Sequence, residues 1–287
     1  MVDVGGSRVT EEALLETLAW AKLFDHLLDE ATAQAFMNER IELETLREVI
    51  GGSKHIVRDG GLLRLAHHEV AKITIEQRKK RAVQHLEELR PVLQILVGLP
   101  QIEGLAITGS VAAGINDEDG DVDVLIITRP GWVWRVRAVA IYLAHRHPNG
   151  QRLCPNMVMA SDHLAIEQSL YGAREMMLMQ PIKDEGGIST MQEANPWVET
   201  MLPNASYRAT IAHSSSKRGA PWWWAICRMP LLGRLFERFE SSRRIRELKR
   251  ASRSSEAIYT RSICRGHENN HRTTIEQRLE QAMEGLQ

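Results

Sequence analysis

One segment constrains the fold more than any other part of the chain: GLAITGSVAAGINDEDGDVDVLIIT, residues 104–128. It begins and ends with apolar, β-branched runs typical of buried strands, residues 104–108 and 121–128. Between the runs, residues 110–115 suit a short helix and residues 116–120 a polar turn. Further along, the pattern predicts a helix over 130–145, a third strand over 152–160 and a helix capped by Ser161. This alternation of strands and helices predicts an α/β fold with a small mixed sheet.

Polar residues stand at two fixed places in this segment. Side chains alternate along a strand, so Asp121 and Asp123 lie on one face, about 7 Å apart. Two carboxylates at that separation suit Mg²⁺ or Mn²⁺, which take one or two carboxylates together with phosphate oxygens. Gly109 lets the backbone approach a phosphate closely. Ser110 begins the short helix, where its hydroxyl and the neighbouring N–H groups favour an anion. The set predicts a site for a metal-bound triphosphate.

The segment resembles the nucleotidyltransferase superfamily of the DNA polymerase beta type, whose signature is Gly-Ser followed some ten residues later by Asp-x-Asp. The matching residues are Gly109, Ser110, Asp121 and Asp123. Residues 153–182 look like uncharacterised prokaryotic members that carry an N-terminal winged helix, a likeness extending from about residue 24 to the end. The resemblance implies that the two aspartates are catalytic and bind metal, and that Gly109 and Ser110 bind the phosphates. Two sets of basic residues are candidates for neutralising phosphate charge: Arg129 and residues 78–81.

The implied reaction moves a nucleoside monophosphate from ATP or another triphosphate to an acceptor, with release of pyrophosphate. The acceptor stays open between RNA, a protein and a small molecule.

The chain departs from the family pattern on the strand over 152–160, where the family usually places a third carboxylate. This strand contains no acid, and Asn156 is predicted to face the metals in its place. The third ligand is left open among Asn156, Asp162, Glu167 and none. Glu167 and Glu175 lie on the helix after the third strand and could face the site, although an exposed position is the default for helix acids. The missing acid supports a second hypothesis, a catalytically impaired nucleotide-sensing or nucleic-acid-binding regulator.

Four parts are predicted along the chain: a winged-helix-like module over 1–69, a connecting helix over 70–98, the nucleotidyltransferase core over 99–194 and a helical basic region over 195–287. The module is inferred from helical periodicity followed by a hairpin signal, Asp59-Gly60-Gly61 between two short apolar runs.

The last region contains a stretch with a large excess of basic over acidic residues. Residues 208–265 hold 14 lysines and arginines against four acids, although the whole chain has a net charge of -1. This stretch is open between nucleic-acid contact and a solvated helix. Packing is favoured over base stacking for the run Trp222-Trp223-Trp224.

Membrane contact is not expected, because no stretch approaches the roughly 18 uncharged residues of a spanning helix. Three scattered cysteines predict no disulfide framework and a cytoplasmic location. A histidine-based metal site around His267 and His271 is a weaker alternative to a structural role there.

Overall fold

The computed structural model describes residues 4–69, 71–216, 218–266 and 271–286. Within them the chain forms twelve helices and two sheets, of three and six strands, so the predicted mixed α/β class is confirmed. Three positions used in the sequence predictions lie outside the described residues: Val70, Lys217 and His267. No helix in the described part of the chain is long and apolar enough to cross a membrane.

The N-terminal module combines three helices with a small antiparallel sheet. Its elements are α1 (Val4–Lys22), β1 (Leu28–Asp29), α2 (Glu30–Phe36), α3 (Leu43–Gly52), β2 (Ile56–Asp59) and β3 (Leu62–Leu65). The strands pair in the order β1-β3-β2. The hairpin prediction is confirmed: Asp59 pairs with Leu62, and the two glycines between them have φ of 60° and 84°. Positive φ at both central residues is what a two-residue hairpin turn needs.

The central sheet follows a long helix. The elements are α4 (Lys72–Val97), β4 (Ile102–Ile107), α5 (Gly109–Ala112), β5 (Val122–Thr128), α6 (Val133–Arg146), β6 (Leu153–Ala160), α7 (Leu170–Leu178) and β7 (Gln180–Asp184). All three predicted strands are present. β5 and β6 are parallel, whereas β4 runs antiparallel to both of its neighbours, so the sheet is mixed as predicted.

The C-terminal region is mostly helical but also completes this sheet. Its elements are α8 (Gly187–Glu193), α9 (Trp197–Met201), α10 (Trp224–Cys227), α11 (Pro230–Ala251), β8 (Ile258–Tyr259), β9 (Ile263–Arg265) and α12 (His271–Glu284). The six strands lie in the order β7-β4-β5-β6-β9-β8. The strands β8 and β9 were not predicted, because two or three residues carry too little periodicity to register.

The core has two layers, one on each face of the sheet. On β5, Val124 and Ile126 pack with α4 and α6, whereas Leu125 and Ile127 pack on the side of the N-terminal module and α7. Because side chains alternate along a strand, Asp123 shares the face of Leu125. The fold therefore places Asp123 between the sheet and the N-terminal module.

The helix predicted to be capped by Ser161 has its cap eight residues later. Its cap is Ser169, whose hydroxyl oxygen accepts a hydrogen bond from the N–H of Gly172 at 2.9 Å. The preceding stretch stays extended because the fully buried Asn195 holds it. The Asn195 amide accepts from the N–H of Ile166 and donates to the carbonyl of Leu164. A partner about thirty residues away thus replaces the helical hydrogen bonds that the local sequence favoured.

Candidate active site

The site begins where β4 gives way to α5. Gly109 occupies this turn with φ of +63°, a conformation that L side chains rarely adopt. A Cβ atom on Gly109 would lie 2.6 Å from Oδ2 of Asp123, closer than packing allows. Glycine is therefore required here for two reasons, the backbone conformation and the carboxylate packed against it.

The two predicted aspartates stand at the start of β5. Asp123 is half-buried, and its backbone carbonyl accepts a hydrogen bond from the N–H of Thr108 at 2.9 Å, which ties β5 to the Gly109 turn. Asp121 is exposed and lies just before the strand. Opposite Asp123 on β6 stands Cys154, whose thiol donates to the Asp123 carboxylate. Burial and the two aspartates raise the pKa of this thiol, so it stays protonated.

A further carboxylate, Glu175 on α7, reaches the same place. It accepts a hydrogen bond from the N–H of Gly109. Burial and the charge of Asp123 raise its pKa to about 7. One turn earlier on α7, Tyr171 also faces the site, and burial together with Glu175 and Asp123 raises its phenol pKa. A third acid is therefore present, carried by a helix and not by the strand where the family pattern places it.

The default expectation of an exposed helix acid is wrong for Glu175, and the alternative that it faces the site agrees with its hydrogen bond from Gly109. A local signal was available: Glu175 interrupts a run in which Ala173, Met176 and Met177 are buried. An acid inside an apolar helix is a candidate for a special environment.

The loop that joins α5 to β5 is organised by one buried amide, that of Asn116. Its oxygen accepts from the Ser110 hydroxyl at 3.2 Å and from the Asp117 N–H at 3.0 Å. Its nitrogen lies within hydrogen-bond distance of the carbonyls of Gly120 and Asp121 and of a ring nitrogen of His85. The predicted phosphate-binding serine and the first predicted metal ligand are thus attached to the same side chain.

Other predicted candidates divide between those near the site and those away from it. Asn156 lines the site cavity, as predicted. Asp162 lies outside it and contacts His163 at 2.8 Å, and Glu167 forms an ion pair with Arg272 at 2.8 Å. Arg129 follows β5 at the end opposite to Asp123 and pairs with Glu103 at 3.4 Å, so it does not serve the site.

These groups line a cavity of about 550 Å³ between the sheet and the N-terminal module. The core contributes Gly109, Ser110, Ala113, Ile115, Asp117, Asp123, Asn156, Tyr171, Glu175, Leu178 and Gly266, α4 contributes Arg78, and the module contributes Trp20, Leu23, Phe24, Asp25 and His26. A smaller chamber of about 100 Å³ adjoins it and shares Asn156, Tyr171 and Glu175 with it. The rest of its lining includes four methionines and four charged residues: Glu167, Glu256, Arg265 and Arg272.

The electrostatic balance of this cavity is negative. Among its described lining residues, four carry carboxylates and only Arg78 carries a full positive charge. Arg78 is already engaged with Asp117 at 2.8 Å and with the backbone carbonyls of Phe24 and Asp25. His26 is neutral, because burial and the charges of Arg78 and Lys79 lower its pKa to about 4. A phosphate chain entering the cavity therefore needs added cations.

No three His, Cys, Asp or Glu side chains form a group that could hold a metal ion, within the ranges that the structure describes. The predicted Mg²⁺ site stays a prediction, in which substrate oxygens add to two aspartates. Compared with protein-family models, with curated proteins and with solved structures, the chain matches none of them. The proposed function rests on the chemistry of the site.

Proposed function

We propose that the protein is a metal-dependent nucleotidyltransferase that moves a nucleoside monophosphate from ATP or another triphosphate to an acceptor and releases pyrophosphate. The observation that carries this proposal is the meeting of Asp123, Glu175 and the Gly109 backbone on the wall of a 550 Å³ cavity. Cavities of this size are typical of small-molecule sites. Gly109 packs against the carboxylate of Asp123 and donates its N–H to Glu175. This arrangement suits a phosphate-binding turn next to metal ligands.

The roles of the residues follow from their positions. Asp121 and Asp123 hold Mg²⁺ or Mn²⁺, and the carbonyl oxygen of Asn156 is available as a neutral ligand. Bound metal supplies positive charge to the phosphates and to the transferred group. The Ser110 hydroxyl and the amides after Gly109 hold the terminal phosphates. Asp123 lines this cavity, which lacks free positive charge, and Asp121 lies two residues earlier, just before β5 and outside the described lining. In the proposal both carboxylates would hold the cation.

Glu175 is the proposed general base. A carboxylate with a pKa of about 7 is matched to accepting a proton near neutral pH. Its position beside Asp123 supports this role, because in the proposal it would accept the proton of the acceptor hydroxyl next to the bound metal. The regulator hypothesis rested on the absence of a third carboxylate, and Glu175 provides one, so the enzyme hypothesis is favoured.

The first test measures pyrophosphate release and nucleotide binding with each of the four nucleoside triphosphates. We expect release in Mg²⁺ or Mn²⁺ when total RNA or a metabolite extract supplies the acceptor, and its loss in Asp123→Ala and Asp121→Ala. Because the cavity is negative, calorimetry should detect nucleotide binding only when a divalent cation is present.

The matched control for this test is Asp119→Ala, which removes an exposed acid two residues before Asp121. It should keep full activity. Nucleotide binding without release in any mixture would instead support the regulator hypothesis, and equal loss in Asp119→Ala would remove the specific role of the two aspartates.

We also propose that the N-terminal module is a winged helix, supported by its element order and by the strand order β1-β3-β2. Its helix α3 exposes Glu44, Arg47 and Glu48, and Arg47 pairs with Glu44 at 3.2 Å. A helix of this charge is poorly suited to DNA. The module is therefore assigned to the wall of the cavity, where it contributes five lining residues. All three cysteines are free, which supports a cytoplasmic location.

A further inference from the structure

A second surface of the molecule lies far along the chain from the site residues and exposes large apolar side chains. It comprises the outward side chains of residues 222–239, from the tryptophan run through the first turns of α11, and is called here the 222–239 surface. Seven of the ten large hydrophobic residues that stand exposed in the described structure lie on it: Trp222, Ile226, Met229, Leu231, Leu232, Leu235 and Phe239. Trp222 is 80% exposed, Leu231 71% and Phe239 66%.

This exposure does not arise from an undocked segment. Trp224 is buried edge-on against Trp132 and Trp223 stacks on Phe236, so the packing predicted for the tryptophan run is confirmed for two of its three residues. Gly233 is so close to the chain beneath it that a Cβ atom would lie 2.1 Å from the carbonyl oxygen of Cys227. The inward side chains of the segment pack against the rest of the protein, and its outward side chains are apolar as well.

Charge is segregated across the same segment. Arg228, Arg234 and Arg238 are exposed among the apolar residues, and none of them takes part in an ion pair found in the described structure. The single acid of the segment, Glu237, and the next acid along the chain, Glu240, both point inward. Glu237 accepts from the backbone N–H groups of Trp134 and Arg135, and the buried Glu240 pairs with two arginines of the next turn. The outward side is therefore apolar and cationic, with no carboxylate.

The combination of exposed apolar side chains and unpaired arginines favours one kind of binding partner over others. A second copy related by a twofold axis would bring unpaired arginines against arginines, which is repulsive. A nucleic acid would satisfy the arginines but leave the aliphatic side chains facing phosphates. An anionic bilayer satisfies both sets, because Trp, Leu and Phe enter the interface while arginine heads reach the lipid phosphates. We propose that the 222–239 surface binds an anionic membrane surface and lies on it without crossing.

The sequence-based expectation of no membrane partner concerned spanning helices, and a segment that lies on a bilayer needs none. Three more exposed cations continue along α11 and strengthen attraction to anionic headgroups: Arg246, Lys249 and Arg250. Arg243 is also exposed but is paired with Glu240 and Glu247.

The test is co-sedimentation of the full chain with vesicles. One set contains phosphatidylcholine alone, and the other contains equal parts of phosphatidylcholine and phosphatidylglycerol. We expect binding to the anionic set, weakened by high salt. The double variant Leu235→Glu with Phe239→Glu should lower the vesicle partition coefficient at least about tenfold. Arg234→Gln with Arg238→Gln should also lower binding to the anionic set while leaving the apolar residues in place.

The matched control is Val83→Glu, which changes a 65% exposed apolar residue on α4. It should bind as the unmodified protein does, and circular dichroism checks that every variant is folded. Absence of anionic-vesicle binding by the unmodified protein would overturn the proposal, as would equal loss in Val83→Glu. Self-association in sedimentation equilibrium that Leu235→Glu with Phe239→Glu abolishes, without vesicle binding, would assign the surface to a second copy.

Discussion

The ionised carboxylate of Glu175 is poorly stabilised by its surroundings, yet its position suits the role of general base proposed for it. Its carboxylate is removed from water and faces Asp123, and the Gly109 N–H compensates only in part. Because its pKa in the folded protein, about 7, lies above its ordinary value of 4.5, the folded protein prefers the protonated acid. Its contribution to stability is fully present below about pH 4.5 and is lost as the pH rises to about 7.

Replacing this residue by its uncharged isostere should separate stability from activity. Glu175→Gln should raise the free energy of unfolding at pH 8 by on the order of 2 kcal/mol and leave it nearly unchanged at pH 4. The same variant should lose about a hundredfold or more of the transfer rate. Urea unfolding at the two pH values and the pyrophosphate assay provide the readouts.

Glu193→Gln, which changes an exposed acid on α8, is the control and should alter neither quantity. A Glu175→Gln protein that keeps its activity would show that this carboxylate is not the base.

At the scale of elements, the conformation of the loop between α5 and β5 is fixed mainly by the hydrogen bonds of the Asn116 side chain. Asn116→Ala would remove the Asn116 partner of the Asp117 N–H and of the Asp121 carbonyl, whereas the Gly120 carbonyl would keep its hydrogen bond from Arg152. We expect a loss of about 2 kcal/mol in unfolding free energy and at least a tenfold loss of transfer rate. Asn149→Ala, at an exposed asparagine after α6, is the comparison and should be neutral. Full activity in Asn116→Ala would show that the loop does not position Ser110 and Asp121.

Local sequence patterns predict the strands on either side of this loop but not the long-range contacts near it. The strands flanking it are apolar runs of strand length, and the hairpin at Gly60-Gly61 is encoded by two adjacent glycines, so both were predictable. The apolar run around Glu175 marked this acid as unusual, but its contact with Gly109 and the start of α7 were not predictable. The first depends on packing of a helix against a turn more than sixty residues earlier, and the second on Asn195, a hydrogen-bond partner outside the local window.

For the whole molecule, Arg174 connects the N-terminal module to the helix that carries Glu175 of the proposed site. Its side chain is fully buried, donates to Glu16 at 2.7 and 3.1 Å and to the carbonyl of Phe36, and lies over Trp20. The next residue on α7 is Glu175, which faces the other way, toward Gly109. Helix α7 therefore contacts the N-terminal module through Arg174 and the proposed site through Glu175.

Breaking this connection should affect both stability and catalysis. Arg174→Met leaves the Glu16 carboxylate without its partner in a poorly hydrated place, and we expect a loss of about 3–5 kcal/mol. Adding Glu16→Gln should recover part of that loss, which urea unfolding of the four proteins of the double-mutant cycle measures. Arg47→Met, at an exposed ion pair within the module, should change little. Additive losses across the cycle would contradict a direct pair.

The pairing of β6 with β9 gives the order of synthesis a consequence for folding. Every residue of the proposed site except Gly266 precedes β7, so the site-bearing strands leave the ribosome early. The open side of β6 stays uncovered while α7 through α11 are being made, and β9 closes it only afterwards. An uncovered strand edge invites pairing with a neighbouring chain. The nascent protein is thus most prone to aggregation in the interval after the residues of the proposed site have emerged and before its last strand arrives.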